Sequence, residues 1–283
     1  IMDYAIIGAG FLGSKIYSFL KEKELKVKAT SLKNDFFTQL DITDKKMVDR
    51  FFAKHKPKNT VLCASFSNVD ECEAFTEKAG QINVGGTKNI SDACTKNDSK
   101  IVFISSDYVF DGKKGNYREE DKTNPLQVYG ETKVKAENIV LENPKNIILR
   151  VSSLYGKSTI QKPTFETHVL EKINRGEKVL VAADQITCPT LIDDVANAVF
   201  LLVEKNVAGV FHGSGSEAIS RHGFALKLVK NANSNPQLIH KTSLGKLGLV
   251  AKRPKNSSLN IGKLNKIGIR MSNVEQGLKN AFF

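Results

Sequence analysis

Residues 6–16 read IIGAGFLGSKI, and the spacing of Gly8, Gly10 and Gly13 decides how the rest of the chain is read. The preceding YAII (4–7) is a short apolar run that reads as a strand, and the residues up to about Lys23 read as a helix. A G-x-G-x-x-G turn between such elements predicts a dinucleotide-binding crossover. Gly8 permits the tight turn, Gly10 lets backbone approach a pyrophosphate, and Gly13 lets helix and strand pack closely. The diphosphate is expected at the helix N-terminus, against the backbone of Gly8, Gly10, Phe11, Leu12 and Gly13, where N–H groups and the helix dipole favour negative charge.

Working outward, strand and helix alternate. LKVKAT (25–30) reads as a second strand, and DITDKKMVDRFFAKH (41–55) as a helix capped by Thr43 or Asp44. TVLCA (60–64) and IVFIS (101–105) fit strands buried on both faces, with a helical stretch over 69–97 between them. NIILRV (146–151) reads as a further strand. This alternation predicts an α/β fold, a doubly wound parallel sheet of the Rossmann type. After about residue 155 the regularity loosens, which predicts a nucleotide-binding domain over 1–155 and a second, smaller substrate-binding region over 156–283. Segments near 179–212 are expected to return to the first sheet, on the strength of VLVAA (179–183), LIDDVANAVFLLVEK (191–205) and GVFH (209–212).

A chain of 283 residues, 41% hydrophobic and 25% charged, has the makings of a soluble globular protein with an ample core. Its formal charge of +12 is spread along the chain, which suits anionic small molecules and gives no reason to expect nucleic acid. The four Cys form no CxxC pair and the five His show no ligand spacing, so no metal is expected, and Cys63 reads as a reduced thiol. VANAVFLLV (195–203) is too short to span a bilayer and no charged-then-apolar leader opens the chain, so no membrane and a cytoplasmic setting are expected. Met2, after Ile1, is the expected native start.

The second strand ends A-T-S-L-K (29–33), with no carboxylate before Asp35 to accept from a ribose. Thr30, Ser31 and Lys33 can instead donate to a 2′-phosphate, so NADP(H) is favoured over NAD(H). Asp41 and Ile42 are open to two readings, an adenine contact or a helix-capping turn.

The other informative stretch is NPLQVYGETKVKAE (124–137), with Tyr129 and Lys133 at i and i+4 on one helical face. Tyr17 and Lys21 share that spacing, but there the expected fates are core packing and solvent. Tyr129 differs by its context. It follows Asn124-Pro125, a break before a helix, and IVFIS ends just upstream in Ser105-Ser106. Strands of a parallel sheet end at one common edge, where ligands bind. Ser106, Tyr129 and Lys133 are therefore expected to meet there.

Ser-x22-Tyr-x3-Lys after an N-terminal glycine turn resembles the extended short-chain dehydrogenase/reductase superfamily. VLCASFSNVDECE (61–73), SSDYVFDG (105–112), YREEDKTNPLQVYGETKVKAE (117–137), RVSSLYG (150–156), DQITCPT (184–190) and KRPKNSSLN (252–260) resemble, in order, stretches of the dTDP-4-dehydrorhamnose reductase family. The resemblance implies NADPH-dependent reduction of a 4-keto-6-deoxy sugar nucleotide, dTDP-4-dehydro-L-rhamnose to dTDP-L-rhamnose first among them. It implies Tyr129 as proton donor, Lys133 as the cation that lowers its pKa and holds the nicotinamide ribose, and Ser106 as donor to the carbonyl oxygen. Cys63, Ala64 and Ser65 map to cofactor contacts, and Val69, Asp70, Ser106, Tyr108, Val109 and Arg253 to substrate contacts. Phe110, in the same stretch, reads equally as core. Asn83 either supports the site or is a buried amide in a kinked helix. A homodimer stays an open option. Two departures stand out: Ile7 replaces the first glycine of the superfamily's usual G-x-x-G-x-x-G, and Ser153 stands where bacterial relatives tend to carry Trp. Two other functions stay open. One is a non-catalytic NADP-binding regulatory subunit like that of methionine adenosyltransferase. The other is a sugar-nucleotide epimerase or dehydratase, although Asp107-Tyr108 is not the Asp-Glu pair that dehydratases tend to carry.

Overall fold

In β1 (Met2–Ile7), Tyr4 and Ile6 turn into one hydrophobic core while Ala5 and Ile7 turn into another. A strand covered on both faces needs an apolar residue at every position, which is why YAII reads as an unbroken apolar run. β5 (Lys100–Ser106) divides the same way, Val102 and Ile104 against Ile101 and Phe103. The computed structural model describes residues 2–160 and 163–282 and sets these strands in one seven-stranded sheet. The others are β2 (Val27–Ser31), β3 (Thr38–Gln39), β4 (Pro57–Leu62), β6 (Ile147–Val151) and a strand at Gly209–His212. The order runs from Gly209–His212 through β6, β5, β4, β1 and β2 to β3, every neighbouring pair parallel. This is the doubly wound arrangement, whose crevice lies beyond the strands' carboxyl ends.

Helix α1 (Phe11–Glu22) and the helix Ile192–Glu204 cover the first face, packing Ile16 and Leu20 with Val195, Val199 and Leu202. The second face carries α2 (Lys45–His55) and two later helices, α5 (Thr87–Lys96) and α6 (Val128–Leu141). Asp44, of the two candidate caps, begins α2 by accepting from the Met47 N–H at 3.0 Å. The stretch 69–97 is not one helix. It breaks into α3 (Val69–Ala74), α4 (Thr76–Gly80), a π-helical turn Gln81–Gly86, and α5.

Beyond residue 155 a third core gathers Tyr155, Val169, Phe224, Leu228 and Leu278. Of the stretch expected to rejoin the sheet, Ile192–Glu204 packs on it and Gly209–His212 is its edge strand. Val179–Ala182 does not join it. That segment pairs with Ile239–Thr242 in a small sheet of its own, and its Leu180 is 63% exposed. A strand with one face in water cannot serve in the middle of a sheet covered on both sides. Among the described residues, no helix is long and apolar enough to cross a membrane.

Candidate active site

The glycine turn is held by its neighbours. Gly8 and Ala9 donate their N–H groups to the Thr30 carbonyl, and Cys63 and Ala64 donate theirs to the Ile7 carbonyl. Gly8 has φ +94°, and a Cβ there would come within 2.5 Å of the Ala64 nitrogen. A Cβ on Gly13 would lie 2.1 Å from the Gly8 carbonyl oxygen, so close helix–strand contact forces that glycine. Gly10 is different: a Cβ there would meet nothing within 4 Å. Its bareness therefore serves the open space in front of α1, as a pyrophosphate cradle requires. Phe11 and Leu12 turn their side chains into the core, leaving their backbone to the crevice. Ile7, where the superfamily pattern has glycine, is a fully buried strand residue, so the turn begins one residue later. The residues fit a dinucleotide here.

Around the adenosine end the structure sorts the candidates. Lys33 is exposed. Half-buried Ser31 accepts from the Lys33 and Asn34 N–H groups and so shapes the same loop. Thr30 is a correction: it is 1% exposed, and its hydroxyl bridges the Gly8 N–H and the Ile6 carbonyl, so it braces the turn and does not reach a phosphate. Asp41 accepts from both the N–H and the hydroxyl of Thr43, which is the capping-turn reading. Ile42 is buried against Gly86 in the second core, so its side chain is not a platform for adenine.

Ser106 ends β5 and Tyr129 stands in the first turn of α6, near enough for the serine to bear on the phenol's titration. Gly130 makes this approach possible, since a Cβ there would fall 2.2 Å from the Tyr108 carbonyl oxygen. Burial pushes the Tyr129 phenol above its ordinary value; the nearby Ser106 hydroxyl opposes this and the Asp107 carboxylate adds to it. Lys133, one turn on, is 3% exposed, and burial pulls it down to about 8, with Glu137 and Cys63 opposing. Its ammonium donates to the Ile104 carbonyl at 2.6 Å and lies 4.0 Å over the Phe103 ring. The expected lowering of Tyr129 by Lys133 is thus not what governs the phenol; burial does. Ser105 points the other way, donating to Glu137, which forms a buried ion pair with Arg150.

Cys63, Ala64 and Ser65 line the end of β4 beside Lys133, the Cys63 thiol pushed up to about 12 by burial. Asn83, in the π-helical turn, accepts from the Ser65 hydroxyl and the Phe66 N–H and donates to Thr132 of α6. It is a buried amide in an irregular helix, and it ties the loop after β4 to α6.

On the other side of Tyr129 lies Tyr108, edge-on to it at 6.4 Å, its hydroxyl met by the Gln185 amide at 3.4 Å. Asp70 and Arg253, 183 residues apart, form an ion pair at 3.0 Å, and Asp70 also accepts from the Ala251 N–H. Val69, half-buried, opens α3 beside them. Val109 is a correction. The 3-10 turn Asp107–Val109 sends its side chain into a small core with Phe110, Tyr117 and Leu259, where it is fully buried and has no face toward a ligand. Sequence reasoning missed Arg221 and Gln185. Arg221 stacks 4.1 Å over Phe165, and its charge, like that of Arg253, acts on Tyr108. No spacing in the sequence connects ISRHG (219–223) with Tyr108.

Residues 3–282 match the family described as the RmlD substrate binding domain. The chain belongs to this family. It is 33% identical to dTDP-4-dehydrorhamnose reductase of Aggregatibacter actinomycetemcomitans, over 86% of this chain and 87% of that one. It is 31% identical to methionine adenosyltransferase 2 subunit beta of Rattus norvegicus, over 93% and 82%. The crystal structure of dTDP-4-dehydrorhamnose reductase from Bacillus anthracis in complex with NADP superposes with a TM-score of 0.92 at 30% identity, covering 100% of this chain and 99% of that one. Ser153 lies beside Arg221, which reaches its hydroxyl at 3.4 Å.

Proposed function

We propose that this protein is an NADPH-dependent oxidoreductase that reduces a 4-keto-6-deoxy sugar nucleotide, dTDP-4-dehydro-L-rhamnose to dTDP-L-rhamnose above all. The observation that carries this reading is the convergence of Ser106 at the end of β5 with Tyr129 and Lys133 of α6, at the sheet edge that opens onto the glycine turn. NADPH, when bound, supplies the hydride. The chain's own groups manage the oxygen. Burial and Asp107 keep the Tyr129 phenol protonated, the state required of a group that must give a proton to a carbonyl oxygen as charge develops on it. Ser106 adds a hydrogen bond to that oxygen, and donors of this kind contribute of order 10²–10³ in rate. Lys133, drawn to about 8 but still mostly charged at neutral pH, is suited to hold the nicotinamide ribose. Arg221 and Arg253, both acting on Tyr108, suit the diphosphate of the substrate. In this reading residues 1–155 bind the cofactor, and Gln185, Arg221 and Arg253 of the later region bind the sugar nucleotide.

Preference for NADPH over NADH rests on exposed Lys33 and on the lack of a carboxylate at the end of β2. The relative solved with NADP agrees. A cytoplasmic setting suits four cysteines that are all free thiols. The likeness to methionine adenosyltransferase 2 subunit beta supports a second reading, a subunit of a larger enzyme. A panel of keto-sugar nucleotides with NADPH and NADH separates the two. We expect NADPH to be consumed fastest with dTDP-4-dehydro-L-rhamnose; turnover only on another keto sugar reassigns the substrate. No turnover on any, together with co-purification of a larger enzyme, overturns the reductase in favour of the subunit.

A further inference from the structure

Asp107 follows the catalytic serine and is 2% exposed. Among the described residues, no cation forms an ion pair with its carboxylate. Three serine hydroxyls meet it: Ser106 donates to Oδ1 at 3.2 Å, and Ser152 and Ser257 donate to Oδ2 at 2.8 and 2.5 Å. They come from three separate parts of the chain. Ser106 ends β5, Ser152 follows β6, and Ser257 lies four residues past Arg253 in the KRPKNSSLN segment. Each bond has a consequence for the site. A serine has one proton to donate and two acceptor positions. Ser106 rests with its proton on Asp107 while accepting from the Tyr108 N–H at 3.1 Å, so these two contacts hold the hydroxyl from which the proton turns to a substrate oxygen. Ser257, held by the same carboxylate, has its backbone N–H on the Ile186 carbonyl, and Asn256 donates to the Gly112 carbonyl. The segment that carries Arg253 is thereby laid along the catalytic edge.

We propose that Asp107 is a positioning residue that couples Ser106 to the Arg253 segment, so that the aim of the catalytic hydroxyl and the seat of the substrate-side arginine are set together. The catalytic half of this inference rests on the reductase reading; the tie itself does not. Burial of a carboxylate without a cation is costly, and the three serine donors are what retain it there. The like charge also matters to Tyr129. Asp107, Cys72 and Tyr108 all disfavour its phenolate, while Lys133 faces Ile104 and Phe103. Asp107 also acts on Tyr108, Arg221 and Cys188.

The test uses D107N, S257A and the double variant of the full chain. Hydrogen exchange of the 252–260 amides, measured without substrate, should quicken roughly tenfold in S257A and in D107N, and no further in the double variant, since one bond cannot be lost twice. In turnover, S257A should raise KM for the keto-sugar nucleotide with kcat little changed. D107N should lower kcat as well and shift the alkaline limb of the pH profile to lower pH, because the phenol then ionises more easily. Wild-type exchange over 252–260 in both single variants, or strictly additive losses, overturns the tie. S257A removes a single hydroxyl and decides the matter alone should D107N fail to fold. Faster exchange in the variants of a wild type that turns over no keto sugar would refute the reductase reading and leave the tie standing.

Discussion

Tyr129, Lys133 and His212 titrate away from their ordinary values for one shared reason, burial, and the sign of each shift tells which form the fold tolerates. The phenol stays neutral, and the ammonium is drawn to about 8. His212, at the edge strand, is fully buried and is drawn to about 3 by burial and by the Arg150 guanidinium, with the Asn260 carbonyl and Asp121 opposing. Arg150 can only donate, so the His212 Nε2 facing it at 3.4 Å accepts, and Nδ1 donates to the Asn260 carbonyl at 3.2 Å. Because the folded pKa is depressed, the unfolded chain takes up this proton first, and stability falls as pH drops from 6.5 towards 3. The slope is about 1.4 kcal/mol per pH unit for one proton, or about 3 kcal/mol between pH 6.5 and 4. His212→Gln should lack this component. Urea unfolding at the two pH values checks it: wild type should lose about 3 kcal/mol more than the variant, and equal losses would contradict the burial argument.

Among the elements, the β1–α1 turn separates two duties of glycine that the motif alone runs together. Gly13 is required by packing and Gly10 by space for a ligand. Gly13→Ala should destabilise the protein by about 1–3 kcal/mol through overpacking and weaken NADPH binding with it. Gly10→Ala should unfold close to wild type yet bind NADPH more weakly. Thermal unfolding and a fluorescence titration of NADPH distinguish them, and a destabilised Gly10→Ala protein would show that the glycine serves the fold. At this scale the sequence was most readable where burial leaves one solution. The apolar runs of β1, β5 and β6 could only be covered strands, and the Tyr129–Lys133 spacing could only share a face on a helix. Val179–Ala182 misled because its valines alternate with an exposed leucine, a pattern that four residues hardly reveal.

At the scale of the whole molecule, the site joins groups that are remote in the chain. Ser106 and Tyr129 were legible because both follow from one rule, that parallel strands end at a common edge. Val109, assigned by family position, and Thr30, assigned by its place at the end of a strand, were misplaced because neither says which way a side chain turns: a 3-10 turn buries one, and the strand next to the glycine turn buries the other. The Asp107–Ser257 and Asp70–Arg253 contacts span 150 and 183 residues, and no local pattern encodes them. They are made only when the region beyond residue 155 closes on the sheet edge. Proton delivery by Tyr129 is the claim on which the function depends, and Tyr129→Phe tests it most directly. With NADPH and dTDP-4-dehydro-L-rhamnose the variant should lose of order 10²–10⁴ in kcat while titrating NADPH as tightly as wild type. A variant that turns over as fast as wild type would contradict the account.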